Sequence, residues 1–206
     1  MVFAELTKLL KWNETHLCPQ NKDLTTQRDE NGSTPLHFAA AMKFLFGPSS
    51  ICRQVLEANP NALYQSDHAG FFPIHVAASV GAFWNVRMFV TKFPGSAGLR
   101  DAKGRTFLHV AVEKKEANVI WSACRNLSLS WIMNMVDNDG NTALHLAVKA
   151  KSIHMFCPLL GNPQVNLNLP NNRGETPLDI AQYNLPERVF YDIQVIRHPL
   201  ILILLF

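Results

Sequence analysis

Five stretches of the chain follow one frame: DENGSTPLHFAA from Asp29, DHAGFFPIHVAA from Asp67, DAKGRTFLHVAV from Asp101, DNDGNTALHLAV from Asp137 and NNRGETPLDIA from Asn171. The fourth place is always glycine, at Gly32, Gly70, Gly104, Gly140 and Gly174, with intervals of 38, 34, 36 and 34 residues. This period leaves few architectures open. A unit so short cannot bury an apolar face alone, so the units must stack as a solenoid in which neighbours supply one another's core.

The frame also predicts the local structure. Each glycine follows mostly polar residues, the chemistry of a tight turn that needs positive φ. Place six is Thr34, Thr106, Thr142 and Thr176 in four units, where a helix N-cap belongs. Proline comes next at Pro35, Pro73 and Pro177 and suits the first helical position. The small and aliphatic residues that follow form a narrow apolar face for close helix packing. A second apolar stretch comes after each of the first four: SSICRQVLEANP, AFWNVRMFVTKFP, ANVIWSACRNL and SIHMFCPLLGNP. Ile51, Val55 and Leu56, or Val86, Phe89 and Val90, show helical spacing.

The expected fold is therefore all-α, a solenoid of helix-turn-helix units with projecting β-hairpin-like loops. Asn59-Pro60, Phe93-Pro94 and Asn162-Pro163 should close the outer helices, because proline turns the preceding residue away from α geometry. Pro158, inside the fourth outer helix, should shorten or kink it. Phe72 replaces threonine in the second unit and is expected to point into the core, where an aromatic ring buries a large area.

Three regions follow. Residues 1–28 read as a partial repeat or cap, with Leu6, Leu9 and Leu10 of ELTKLLKW on one helical face. Residues 29–184 hold the five units, starting near 29, 67, 101, 137 and 171. Residues 185–206 form an apolar tail, interrupted by Pro186 and Pro199. Three readings of the tail stand: an outer helix folded back on the fifth unit, a shallow membrane insertion, or the end of an incomplete gene product. The two prolines favour the last two.

Composition narrows the function. A chain that is 48% hydrophobic and 17% charged suits one sizeable core, and a net charge of +3 without a basic run longer than two residues argues against nucleic acid. Cys18, Cys52, Cys124 and Cys157 have neither zinc spacing nor a CxxC pair and read as reduced thiols of a reducing compartment. MVFAELTKLLKW has charges within its apolar positions and does not read as a signal peptide, and PLILILLF is too short for the roughly 20 residues that a spanning helix needs.

No Gly-rich phosphate loop, nucleophile elbow or HExxH occurs, and DNDG at 137–140 loses calcium-loop spacing at once. No catalytic, metal or cofactor-binding residue is expected. His37, His75, His109 and His145 recur at place nine, and catalysis needs one constellation of different groups rather than four copies of one.

The frame D-x-x-G-x-T-P-L-H-x-A-A resembles the ankyrin repeat over roughly Asp29 to Asn184. Several stretches, RDENGSTPLHFAA, LRDAKGRTFLHVAVEKK, VDNDGNTALHLAV and LNLPNNRGETPLDIA, are similar to the plant ankyrin proteins of the accelerated-cell-death type. In those proteins a multi-span membrane domain named after a Pro-Gly-Gly motif follows the repeats. Residues 185–206 depart from that pattern. The resemblance implies that the place-nine histidines bond backbone and the nearby threonine, tying adjacent loops. Asp179, which replaces histidine in the fifth unit, then marks a terminal repeat.

The resemblance also implies a non-enzymatic scaffold that binds protein partners on loop tips and on the open side of the inner helices. Those positions are Glu30, Asn31, Ser33, Met42, His68, Phe71, Ser79, Lys103, Arg105, Lys114, Asn138, Asn141, Lys149 and Arg173. Phe71 with Lys103, Arg105, Lys114 and Lys149 suggests a partner with an acidic segment and an apolar anchor. The expected location is cytoplasmic, with a role in plant defence or cell-death signalling. The alternative is the cytosolic domain of a membrane signalling or transport protein.

Overall fold

The computed structural model describes residues 25–44 and 47–184. The half-repeat expected at residues 5–12, Cys18 and the 185–206 tail lie outside these residues. The chain divides into two compact units, Met1–Ala102 and Lys103–Phe206.

In the first unit, inner helices α1 (Pro35–Ala40) and α3 (Pro73–Ser79) pack side by side. Their outer partners are α2 (Ser50–Ala58) and α4 (Phe83–Lys92). In the second unit the inner helices are α5 (Phe107–Glu113), α7 (Ala143–Lys149) and α9 (Pro177–Asn184). Their outer partners are α6 (Ala117–Cys124) and α8 (Ile153–Leu160). Helix α5 packs on α7 and α7 on α9, while α6 packs on α8. Each unit thus has an inner and an outer layer, and among the described residues the sole β feature is a bridge between Val136 and Thr142.

The core lies between those layers. Leu36, Ile74, Leu108 and Leu144 hold place eight of successive repeats and are fully buried. Phe89, Phe107 and Phe156 fill the larger gaps. Removing each such side chain from water contributes about 1.5–3 kcal/mol, so layer contact, rather than intrinsic propensity, holds helices of six to ten residues.

The prolines end the outer helices largely as their positions imply. Helix α2 stops before Asn59-Pro60 and α4 before Phe93-Pro94, and each proline opens a 3-10 turn, Pro60–Tyr64 or Pro94–Gly98. Pro158 does not shorten its helix. Helix α8 runs through it and keeps eight residues, as many as α6. The lost amide bond releases the carbonyl of exposed His154, where water can take its place. Phe72 also differs from expectation. It is half-buried, because the N-cap's extended backbone keeps its ring at the helix mouth, 5.8 Å from the ring of His75.

The inner helices end in left-handed turns. Gly81 follows α3 with φ 74°, and its amide and that of Ala82 bond back to Ala78 and Ala77. This is the Schellman arrangement, which favours glycine. Lysines hold the same place after α5 and α7: Lys115 at φ 60° and Lys151 at φ 53°. A side chain there costs about 1 kcal/mol relative to glycine.

Asn85 was not marked by the sequence pattern. It is fully buried, donates to Ala40 O and Met42 O at 3.1 and 2.9 Å and accepts from the Ser49 amide at 3.1 Å. One amide side chain thereby joins the end of α1 to the start of α2.

Candidate protein-interaction surface

The loop tips are built by one repeated set of bonds. The place-one amide donates to the place-five carbonyl: Asp29 to Ser33, Asp67 to Phe71, Asp137 to Asn141 and Asn171 to Glu175, at 2.8–3.0 Å. The place-one side chain accepts the place-five amide in return, at 2.6–3.0 Å. Glycine at place four closes the turn with φ from 73° to 80° in all five repeats. Neighbouring tips are zipped by the bonds from His68 N to Asn31 O, Asn138 N to Lys103 O and Asn172 N to Asp139 O.

The histidines join this framework to the helices. His37 Nδ1 accepts the Thr34 amide at 3.0 Å and lies 2.9 Å from its hydroxyl, while Nε2 is 2.9 Å from Phe71 O in the next repeat. His109 and His145 repeat this with Thr106 and Asn141 O, and with Thr142 and Glu175 O. A carbonyl only accepts, so Nε2 carries the proton and Nδ1 is the acceptor. His75 accepts the Phe72 amide at 3.2 Å but has no hydroxyl beside it, because Phe72 replaces threonine. Asp179 Oδ2 accepts both the Thr176 amide, at 2.8 Å, and its hydroxyl, at 2.6 Å. A carboxylate reproduces the local half of the motif and has no N–H for a further loop.

Burial lowers the pKa of His37 and of His145 below the ordinary 6.5, outweighing the carbonyls of Phe71 and Glu175, which favour the charged ring. Above pH 6.5 folded and unfolded chains both hold these rings neutral; below it the unfolded chain takes up protons that the native state resists. Urea midpoints should therefore stay level from pH 8 to about 6.5 and fall as pH drops towards 5. A midpoint unchanged between pH 7.5 and 5 would contradict this. Asp179 acts lower, since its hydrogen bonds with Thr176 depress its pKa below 3.8. Its contribution is present at neutral pH and is lost as pH falls through that depressed value.

The sequence-derived contact residues separate by exposure. Glu30, Asn31, His68, Lys103, Lys114, Asn138, Lys149 and Arg173 are exposed. Ser33, Met42, Phe71 and Ser79 are half-buried, with the Ser79 hydroxyl donating to Val76 O at 2.8 Å.

Arg105 and Asn141, by contrast, are buried. They occupy place five, where the backbone is bonded within the loop, and stacking covers the side chain. Arg105 pairs with Glu113, and Asn141 Oδ1 accepts from Lys149 Nζ at 2.8 Å and from Asn171 Nδ2 at 3.2 Å. Lys115 and Lys151, absent from the sequence-derived set, are exposed. Their sequence signal is a position, that of Gly81 in the repeat frame.

Burial raises the thiols of Cys52 and Cys124 to about 12 and that of Cys157 as well, which keeps them protonated. Among the described residues no three His, Cys, Asp or Glu side chains gather as a metal site requires. The groove between α7, α8 and α9 is lined by Leu144, Val148, Leu160, Leu167, Pro177, Leu178 and Ala181, none of them an acid, base or nucleophile.

Comparison with known proteins agrees with the geometry. Residues 127–181 match the model of a family described as ankyrin repeats (many copies). The chain is similar to human neurogenic locus notch homolog protein 1, with 31% identity over 166 residues, which cover 79% of this chain and 6% of that protein. The zebrafish protein of the same name is 28% identical over 156 residues, 76% of this chain and 6% of the relative. Target of rapamycin complex 2 subunit AVO2 of Saccharomyces cerevisiae is 27% identical over 176 residues, 81% of this chain and 38% of the relative. The chain thus spans only a small part of the notch homologs it matches. With the repeated turn glycines, the Thr-His bonds and the paired helix layers, these matches support ankyrin repeats as the fold of this chain.

Proposed function

We propose that the chain is a cytoplasmic, non-catalytic scaffold whose loop tips and inner-helix ends hold a protein partner through an acidic segment with an apolar anchor. Ankyrin repeats imply protein–protein interaction. The observation that carries the finer reading is the division of labour at the tips. Backbone and place-five groups are consumed in internal bonds, whereas Lys103, Lys114, Lys149 and Arg173 of the second unit remain exposed. In the first unit, half-buried Phe71 has its amide and carbonyl fixed by Asp67 and His37, so its ring is the pre-positioned apolar element.

We take a role in defence or cell-death signalling from the likeness of RDENGSTPLHFAA and its counterparts to the plant proteins alone. A second reading is favoured by the small share of the notch homologs that the match covers: a similar segment occurs there within a much longer chain. In that reading these repeats are the cytosolic head of a membrane signalling or transport protein.

An immunoblot of soluble and membrane fractions with an antibody to the repeats separates the two. A soluble band near 23.2 kDa supports the free scaffold, and a larger, exclusively membrane-bound band overturns it. Charge reversal of Lys103 and Lys149, and separately Phe71→Ala, should each remove cross-linked partners from native extract; an unchanged set in either case would rule out that contact.

A further inference from the structure

We propose that the turns after α5 and α7 form a second contact, in which Lys115 and Lys151 bind carboxylates spaced three residues apart in an extended acidic segment of a protein partner. The inference rests on the scaffold reading and adds a location and a ligand spacing. Three observations carry it. Both lysines hold the left-handed place that suits glycine, and the second repeat does place Gly81 there. A residue chosen for the turn alone would be glycine or asparagine. Two cations at that place in consecutive repeats suggest that charge is what the position supplies.

The second observation is exposure without a competing partner. Lys114, Lys115 and Lys151 are exposed and form no ion pair among the described residues. Two neighbouring charges are engaged elsewhere: Lys149 donates to Asn141 and Glu113 pairs with Arg105. Cations here also suit the helix C-termini. Lysine at the last helical residue would meet that need without a left-handed backbone, as Lys149 does.

The third is spacing. Helices α5 and α7 pack directly, and packed helices lie about 8–10 Å apart. Their equivalent turn residues are separated by about that distance. An extended chain in polyproline-II geometry rises about 3.1 Å per residue with three residues per turn, so carboxylates three residues apart lie on one side and match it. Adjacent carboxylates in that geometry point about 120° apart around the axis and do not.

The test uses the whole chain and two labelled 15-residue peptides. Both contain one leucine and three aspartates among glycine and serine; one has the aspartates three residues apart and the other has them contiguous. Fluorescence anisotropy at low salt should show the spaced peptide binding at least fivefold tighter. The double variant Lys115→Gly, Lys151→Gly should weaken that binding at least tenfold while raising the urea midpoint. Lys115→Arg with Lys151→Arg should retain binding.

A glycine variant with a raised midpoint and unchanged affinity overturns the inference. If Lys103→Glu with Lys149→Glu still abolishes binding in that case, the scaffold reading survives and only the second contact fails. Failure of wild type to bind either peptide overturns the acidic-partner reading as well. Binding to phosphatidylserine vesicles in place of the peptides also overturns the proposal.

Discussion

Replacing His109 with alanine should lower the stability of the second unit by about 3 kcal/mol or more. The ring is fully buried and serves three groups: the Thr106 amide, the Thr106 hydroxyl and Asn141 O in the next repeat. Each buried group left without a partner costs about 1–3 kcal/mol, with a cavity added. Because the bond to Asn141 couples one repeat to the next, the loss falls on the inter-repeat term that makes a solenoid unfold as one body. Urea denaturation followed by far-ultraviolet circular dichroism should show a lower midpoint and a broader transition. A change below about 1 kcal/mol would mean that the ladder is incidental to stability.

Gly140→Val should be at least as damaging, about 3–5 kcal/mol. Its φ of 76° disfavours any side chain by about 1–2 kcal/mol, and a β-branched one more. An added Cβ would also lie 2.6 Å from the Asn172 amide nitrogen and 2.4 Å from its side-chain oxygen. That amide bonds to Asp139 O and zips two tips together, so relief of the clash opens the loop ladder. Gly174 has nearly the same φ, 75°, with nothing among the described residues near its Cβ position, and Gly174→Val should cost only the backbone share. The difference between the two midpoints measures tip packing; equal losses would show that tip packing contributes nothing.

These two residues were plain in the sequence for a physical reason. A left-handed turn admits essentially one residue type and a double-ended ring bond admits very few, so both constraints survive as letters at a fixed period. Outer-helix boundaries were legible because proline acts on its immediate neighbour. Place five was not. Arg105 and Asn141 look like solvent-facing loop residues until the next repeat covers them, and burial produced by stacking leaves no local trace. Asn85 escaped for the same reason: its three partners lie more than thirty residues away. Lys115 and Lys151 escaped because only alignment with Gly81 exposes their unusual backbone.

The Thr-His pairs make the stack directional. His37, His109 and His145 each keep the acceptor nitrogen for their own turn and hand the single proton forward to the next loop, so these repeats are finished by their successors. Asp179 lacks the N–H that would continue this series, as a monomer without its second reactive end fails to continue a polymer. Its carboxylate completes its own turn through Thr176 and offers nothing onward. Extending the array by one grafted unit would therefore begin with Asp179→His, which restores an open valence at the growing face.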